Sequence, residues 1–252
     1  MRNIKLTIQY DGSRYHGWQK QKDNPTIQGL LEDVLKRMTG EMIRLIGSGR
    51  TDAGVHAAAQ TANFHTMSNI SLSGIQKGIN SMLPDDIAVI AAEEIDDDFH
   101  ALKDAVCKRY SYHIVSSPVR LPLWEGRAWV INQPIDADAV RQALAFLTGE
   151  HDFSAFKASG CSAKTSIRRI FSVDFKQISI EFPPAGGIHY IFTIAASGFL
   201  RYMVRNIVGV LVMIGTGKIR PDEMKRIISS KDRSMAGPTA PPQGLYLEEV
   251  TY

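Results

Sequence analysis

The chain has 252 residues, 44% of them hydrophobic and 22% charged, with a net charge of +3. That make-up is ordinary for a globular chain long enough to bury a core, and it excludes the disordered and collagen-like classes. No apolar stretch reads as a membrane span, and two cysteines, Cys107 and Cys161, exclude a disulfide framework.

The opening "MRNIKLTIQY" alternates Ile4, Leu6 and Ile8 with Lys5, Thr7 and Gln9, which predicts a half-buried strand and not a signal peptide. A reduced, cytoplasmic setting is the expectation. "YDGSRYHGWQKQKDNP" reads as a glycine-punctuated loop. From Thr26 the apolar positions Ile27, Leu30, Leu31, Val34, Leu35 and Met38 form one helical face. Short strands are expected at Ile43 to Ile46 and Thr61 to His65. Ser73 and Gln76 have capping-box spacing, Ile75, Ile79 and Met82 follow at helical spacing, and Pro84 closes that helix. Ile87 to Ile95 reads as a further strand.

"KRYSYHIV" places Tyr110, Tyr112 and Ile114 on one face of a strand. Asp136 caps a helix carrying Val140, Leu144 and Leu147, with Gly149 as its expected stop. Strands are expected at 167–175, 177–183 and 188–196. The most apolar helix spans Leu200 to Ile214, and Pro221 with Asp222 and Glu223 opens a last short one. Two β-rich halves with helices predict an α+β fold on a duplicated plan, divided near residue 104 into 1–104 and 105–252.

Charge is segregated. From Phe199 to Arg233 there are eight Lys or Arg against three acids, whereas "AEEIDDD" at 92–98 concentrates five acids. Either the basic segment meets a polyanion or it is a solvated face.

Residues 47–56 read "GSGRTDAGVH", an Arg and an Asp held two apart between glycines. Two readings of Asp52 stand. It caps a turn, or it is an ionised nucleophile or base kept charged and oriented by Arg50. A phosphate-binding loop is excluded, because no Lys-Ser/Thr pair follows Gly54. Tyr110 and Tyr112 are either core aromatics or, with Lys108 and Arg109, a stacking platform for an unstacked base. Arg201 and Arg205, four apart, are either surface cations or partners of an anion in an otherwise apolar helix.

The seven histidines lack metal-ligand spacing, and neither a Gly-x-Ser-x-Gly elbow nor a dinucleotide fingerprint occurs. The expectation is therefore no metal and no cofactor. An acid with an arginine, an aromatic strand and a basic helix suits chemistry on a nucleic-acid base.

With these blocks in hand, the chain resembles the bacterial tRNA pseudouridine synthase A family. The blocks run in order: "YDGSRYHGWQ" at 10–19, "TIQGLLE" at 26–32, "GRTDAGVHA" at 49–57, "LPDDI" at 83–87, "FHA" at 99–101, "KRYSYHI" at 108–114, "GEHDFSAF" at 149–156, "FLRYMVRNIVG" at 199–209 and "APPQGLYL" at 240–247. The resemblance implies isomerisation of uridine to pseudouridine at positions 38, 39 and 40 in the anticodon stem-loop of tRNA, without cofactor or metal. It also implies a homodimer and a pseudouridine synthase fold of two ferredoxin-like halves, joined in a continuous mixed sheet with a central cleft. By motif position Asp52 is the catalytic aspartate, Tyr110 the active-site tyrosine, and Arg50 and Arg205 the active-site arginines, while Leu245 lines the base pocket. Where the family usually continues "FHA" with Arg and Phe, this chain has Leu102 and Lys103, which keeps a charge without bidentate geometry. The competing classes are a catalytically silent tRNA-binding or chaperone-like protein and a synthase acting on other RNAs.

Overall fold

A computed structural model describes residues 1–180 and 187–252 of the chain. In chain order the elements are β1 (Arg2–Tyr10), α1 (Ile27–Thr39), β2 (Ile46–Gly47), β3 (His56–Thr66), α2 (Leu72–Met82), β4 (Ile87–Ile95), β5 (Cys107–Ser116), β6 (Trp129–Ile131), α3 (Ala137–Leu144), β7 (Gly149–Asp152), β8 (Ile167–Ser179), β9 (Ile188–Ala196), α4 (Met203–Gly215), α5 (Glu223–Ser230) and β10 (Leu245–Thr251). The fold class is α+β with mixed strand pairing, as expected. Two compact units are present: Met1–Val106 with Tyr246–Tyr252, and Cys107–Leu245. Among the described residues no helix is long and apolar enough to cross a membrane.

In the first unit the strand order is β4-β1-β3-β10. The alternation read in β1 is its burial pattern: Ile4, Leu6 and Ile8 are fully buried. Thr26 caps α1 by accepting the Gly29 N–H at 3.3 Å, an interaction that typically contributes ~1 kcal/mol. β10 pairs in parallel with the start of β3, Tyr246 opposite His56 and Leu247 opposite Ala57.

Several expectations needed correction. Only Ile46 and Gly47 of the stretch 43–47 join β3, because side chains of α1 take up the Leu45 backbone: Gln28 Nε2 donates to its carbonyl and Glu32 Oε1 accepts its N–H. The strand expected at 61–65 starts earlier, at His56. The cap of α2 is Ser71, not Ser73, since Ser71 Oγ accepts the Gly74 N–H. Gln76, the presumed capping partner, donates instead to the Val89 and Ile90 carbonyls of β4.

In the second unit β7, β8, β9 and β5 follow one another, with short β6 parallel to β5. Asp136 caps α3 as expected, accepting the Asp138 and Ala139 N–H groups at 3.0 Å. Gly149 is not its stop. The helix ends at Leu144, and Gly149, at φ +104°, opens β7. The strands expected at 167–175 and 177–183 are one strand, β8, which pairs with β9 from Ile170–Ala196 to Ser179–Ile188 and carries a bulge after Ile170. Residues 181–183 lie outside the described residues. α4 begins at Met203, later than expected, because Tyr202 sits at φ +64°, outside the right-handed helical region.

Candidate active site

In the first unit, the loop from Ser48 to Val55 leads from β2 into β3 and carries Asp52, which is half-buried, and Arg50, which is exposed. Its entry is pinned to β3. Ser48 N–H donates to the Thr61 carbonyl at 2.8 Å, Ser48 Oγ to Gln60 Oε1 at 2.6 Å, and Gln60 Nε2 returns to the Gly49 carbonyl at 3.0 Å. Thr51 is buried and its Oγ1 lies 2.9 Å from the Tyr10 hydroxyl. Burial pushes that phenol well up from its ordinary value, with Thr51 and Gln60 opposing the shift, so it stays a neutral strut.

The loop after β1 forms the other wall. Trp18 N–H donates to the Thr51 carbonyl at 3.1 Å and Gly54 N–H to the Tyr15 carbonyl at 3.3 Å. This is what the glycines of "YDGSRYHGWQ" are for. A β-carbon at Gly17, which sits at φ +85°, would collide with the Thr51 carbonyl, and one at Gly12 would collide with the Val55 carbonyl. The same loop is tied down by "LPDDI": Tyr15 O–H donates to Asp86 Oδ1 at 2.5 Å and Arg14 Nε to Oδ2 at 2.8 Å. Burial, then Asp86, pushes the Tyr15 phenol up to about 12. "TIQGLLE" enters through Gln28, whose N–H donates to the Trp18 carbonyl at 3.0 Å. Four separate blocks of the sequence thus form one scaffold around Asp52. At its end His56 is buried, accepts the Gly12 N–H on Nδ1 at 3.1 Å, and stacks on Tyr246 at 4.5 Å between ring centroids.

In the second unit, Tyr110 on β5 faces Ile194 of β9 in register, is 8% exposed, and meets Phe199 edge-on at 5.1 Å. Tyr112 is core. It is fully buried, and its hydroxyl donates to the Pro241 carbonyl at 2.7 Å. Both tyrosines are therefore buried, Tyr112 completely and Tyr110 nearly so. Leu245, at the start of β10, is also buried.

Arg205, half-buried on α4, donates from Nε to the Ala240 carbonyl at 2.8 Å, while Ala240 N–H returns to the Arg205 carbonyl at 3.1 Å. Its guanidinium carbon lies 4.6 Å from the centre of the Tyr202 ring, and that of Arg201 lies 5.0 Å from the same ring. Arg201 precedes the helix, so the two arginines are not one helical face; they meet at Tyr202. Sequence reasoning missed Tyr202, whose left-handed backbone leaves no signature in a Tyr. It also missed Asn206, fully buried, which donates to the Phe156 carbonyl and accepts from Arg233 and Thr239. A polar residue amid "NIVGVLV" was the available signal.

The basic segment is sorted by its partners. Arg220 pairs with Asp222, Arg226 with Glu223 and Lys231 with Asp152, while Arg233 serves the Asn206 hub. Among the described residues no cluster of side chains could hold a metal ion.

A family model described as tRNA pseudouridine synthase matches residues 6–102 and 143–252, segments that contain Arg50, Asp52, Arg205 and Leu245, with Tyr110 between them. The chain is 44% identical over 258 residues to a tRNA pseudouridine synthase A of Thermoanaerobacter sp. (strain X514). It is 47% identical over 252 residues to that of Acetivibrio thermocellus and 44% over 252 to that of Pelobacter propionicus. Each alignment covers 100% of this chain and 100% of the relative.

Proposed function

The chain belongs to the tRNA pseudouridine synthase family, and from that premise we propose that it isomerises uridine to pseudouridine at positions 38, 39 and 40 of the tRNA anticodon arm, as a cytoplasmic homodimer with Asp52 as its catalytic carboxylate. The observation that carries the reading is the Asp52 loop: a half-buried acid on a backbone held from both sides by hydrogen bonds and by glycines that admit close approach. A turn residue has no need of that support. Preorganised carboxylates lose little on reaching a reactive geometry.

The reaction breaks the bond from ribose C1′ to N1 of uracil, turns the base, joins C1′ to C5 and releases the C5 proton. No electron or phosphoryl group is transferred, so the chemistry asks for no redox group. The target base first leaves its stack at a cost of a few kcal/mol, offset by stacking and phosphate contacts. Tyr110 packs on the extruded uracil, and Leu245 lines the base pocket. Arg50, exposed, contacts the RNA backbone, and Arg205, held by Ala240 and Tyr202, meets a phosphate of the RNA. Asp52 acts as a nucleophile on the sugar or base, or as the base that removes the C2′ proton. Either role requires the ionised carboxylate.

The test is release of tritium from C5-labelled uridine in tRNA. Wild type should release it and Asp52→Asn, nearly isosteric, should not, while both bind tRNA alike. Turnover by Asp52→Asn removes the catalytic role, and tRNA binding without release by the wild type makes the chain a binder.

A further inference from the structure

Within the second unit a cleft of about 500 Å³ opens between the segment after β5, strand β6 and the last turn of α4. Its walls carry Arg120, Trp129, Asn132, Gln133, Thr216 and Lys218, and among the described residues that line it none is acidic. Nothing in the reaction uses it.

The walls are built, not draped. β6 is locked in parallel to β5, with Ser116 opposite Ile131 and Trp129 opposite Ile114. Ser117 N–H donates to the Ile131 carbonyl at 3.0 Å, and Ser116 Oγ to the Gln133 carbonyl at 2.8 Å. Trp129 is half-buried and meets Tyr112 edge-on at 6.5 Å, which holds its ring at the wall. On the facing side Thr216 Oγ1 donates to the Val212 carbonyl at 2.8 Å, and Lys218 N–H to Met213 at 2.9 Å.

The carbonyl end of α4 would by itself repel an anion. Arg120 and Lys218, both exposed, reverse that sign, and among the described residues neither is held in an ion pair. This sets Lys218 apart from Arg220, Arg226 and Lys231, whose charges are answered by acids. Two cations, an aromatic wall and two side-chain amides, without an acid, match a nucleotide: phosphate for the cations, base for the indole and amides.

We propose that this cleft is a second RNA subsite, which holds one nucleotide of the bound tRNA away from the reacting uridine. It rests on the tRNA reading above. Its role is positioning: it adds grip and register to the substrate and touches no reacting atom.

The test uses the full-length chain and C5-tritiated tRNA, with Arg120→Ala/Lys218→Ala and, separately, Trp129→Leu. The double variant should raise KM for tRNA about tenfold with the loss confined to KM, and should flatten the log-affinity against log-salt slope by about one, for the one phosphate that the two cations meet, in direct tRNA binding. Trp129→Leu should weaken binding with the slope unchanged. If Trp129→Leu fails to fold, the two exposed cations still decide the matter. Unchanged KM and slope in the double variant overturn the subsite, as does a change of oligomeric mass that accounts for the lost affinity. Wild type that binds tRNA without releasing tritium fails the parent reading alone, because the binding slopes still test the cleft.

Discussion

At the scale of single residues, the backbone decides more than the side chains suggest. Gly17 has no chemistry, yet it lies at φ +85° against the Thr51 carbonyl, one residue from Asp52. Alanine there meets two penalties, a left-handed φ costing roughly 1–3 kcal/mol and a collision with the loop. Gly17→Ala should lower the melting temperature and reduce kcat by more than it weakens tRNA binding, as read by thermal denaturation and tritium release. Equal losses in both, or none, would mean that the loop tolerates displacement. Tyr202 is the converse case, a bulky residue held left-handed with two guanidinium groups beside its ring. Motif position points to Arg205, but what aims Arg205 is a neighbour without any sequence signature.

At the scale of elements, β5 and β9 bring two histidines together. His113 Nδ1 and His189 Nε2 lie 2.9 Å apart, their rings stack at 5.0 Å, and Trp124 covers His189 at 4.8 Å. Ser111 Oγ lies 3.2 Å from His113 Nε2. Burial lowers the pKa of His189 below its ordinary 6.5. The unfolded chain then binds more protons than the folded one as pH falls below 6.5, so the stability contribution is whole above that value and is lost on acidification. Between about pH 7.5 and about pH 5.5 the melting temperature of His189→Gln should fall less than that of wild type. A parallel fall in both would show that the pair contributes nothing. Strands at 108–115 and 188–196 were each legible, but neither their pairing nor the meeting of positions 113 and 189 was, because register across a long connection leaves no local trace.

For the whole molecule, the proposed homodimer predicts a mass by light scattering of twice 27.9 kDa, and a mass of 27.9 kDa would remove it. The sequence by itself determined the α+β class, most helices and strands, and the motif blocks that identify the family. These depend on short-range physics: the period-2 burial of Ile4, Leu6 and Ile8, the cap at Thr26, and the Pro that follows α2. The capping-box spacing of Ser73 and Gln76 misplaced the start of α2: Ser71 is the cap, and Gln76 is bonded to carbonyls of β4 instead. Tertiary structure alone decided that the glycines of the first loop serve Asp52, that Arg201 and Arg205 converge on Tyr202, and that the last strand returns to lie beside β3. Each of these is a contact between residues brought together by chain closure, and closure depends on every intervening element at once.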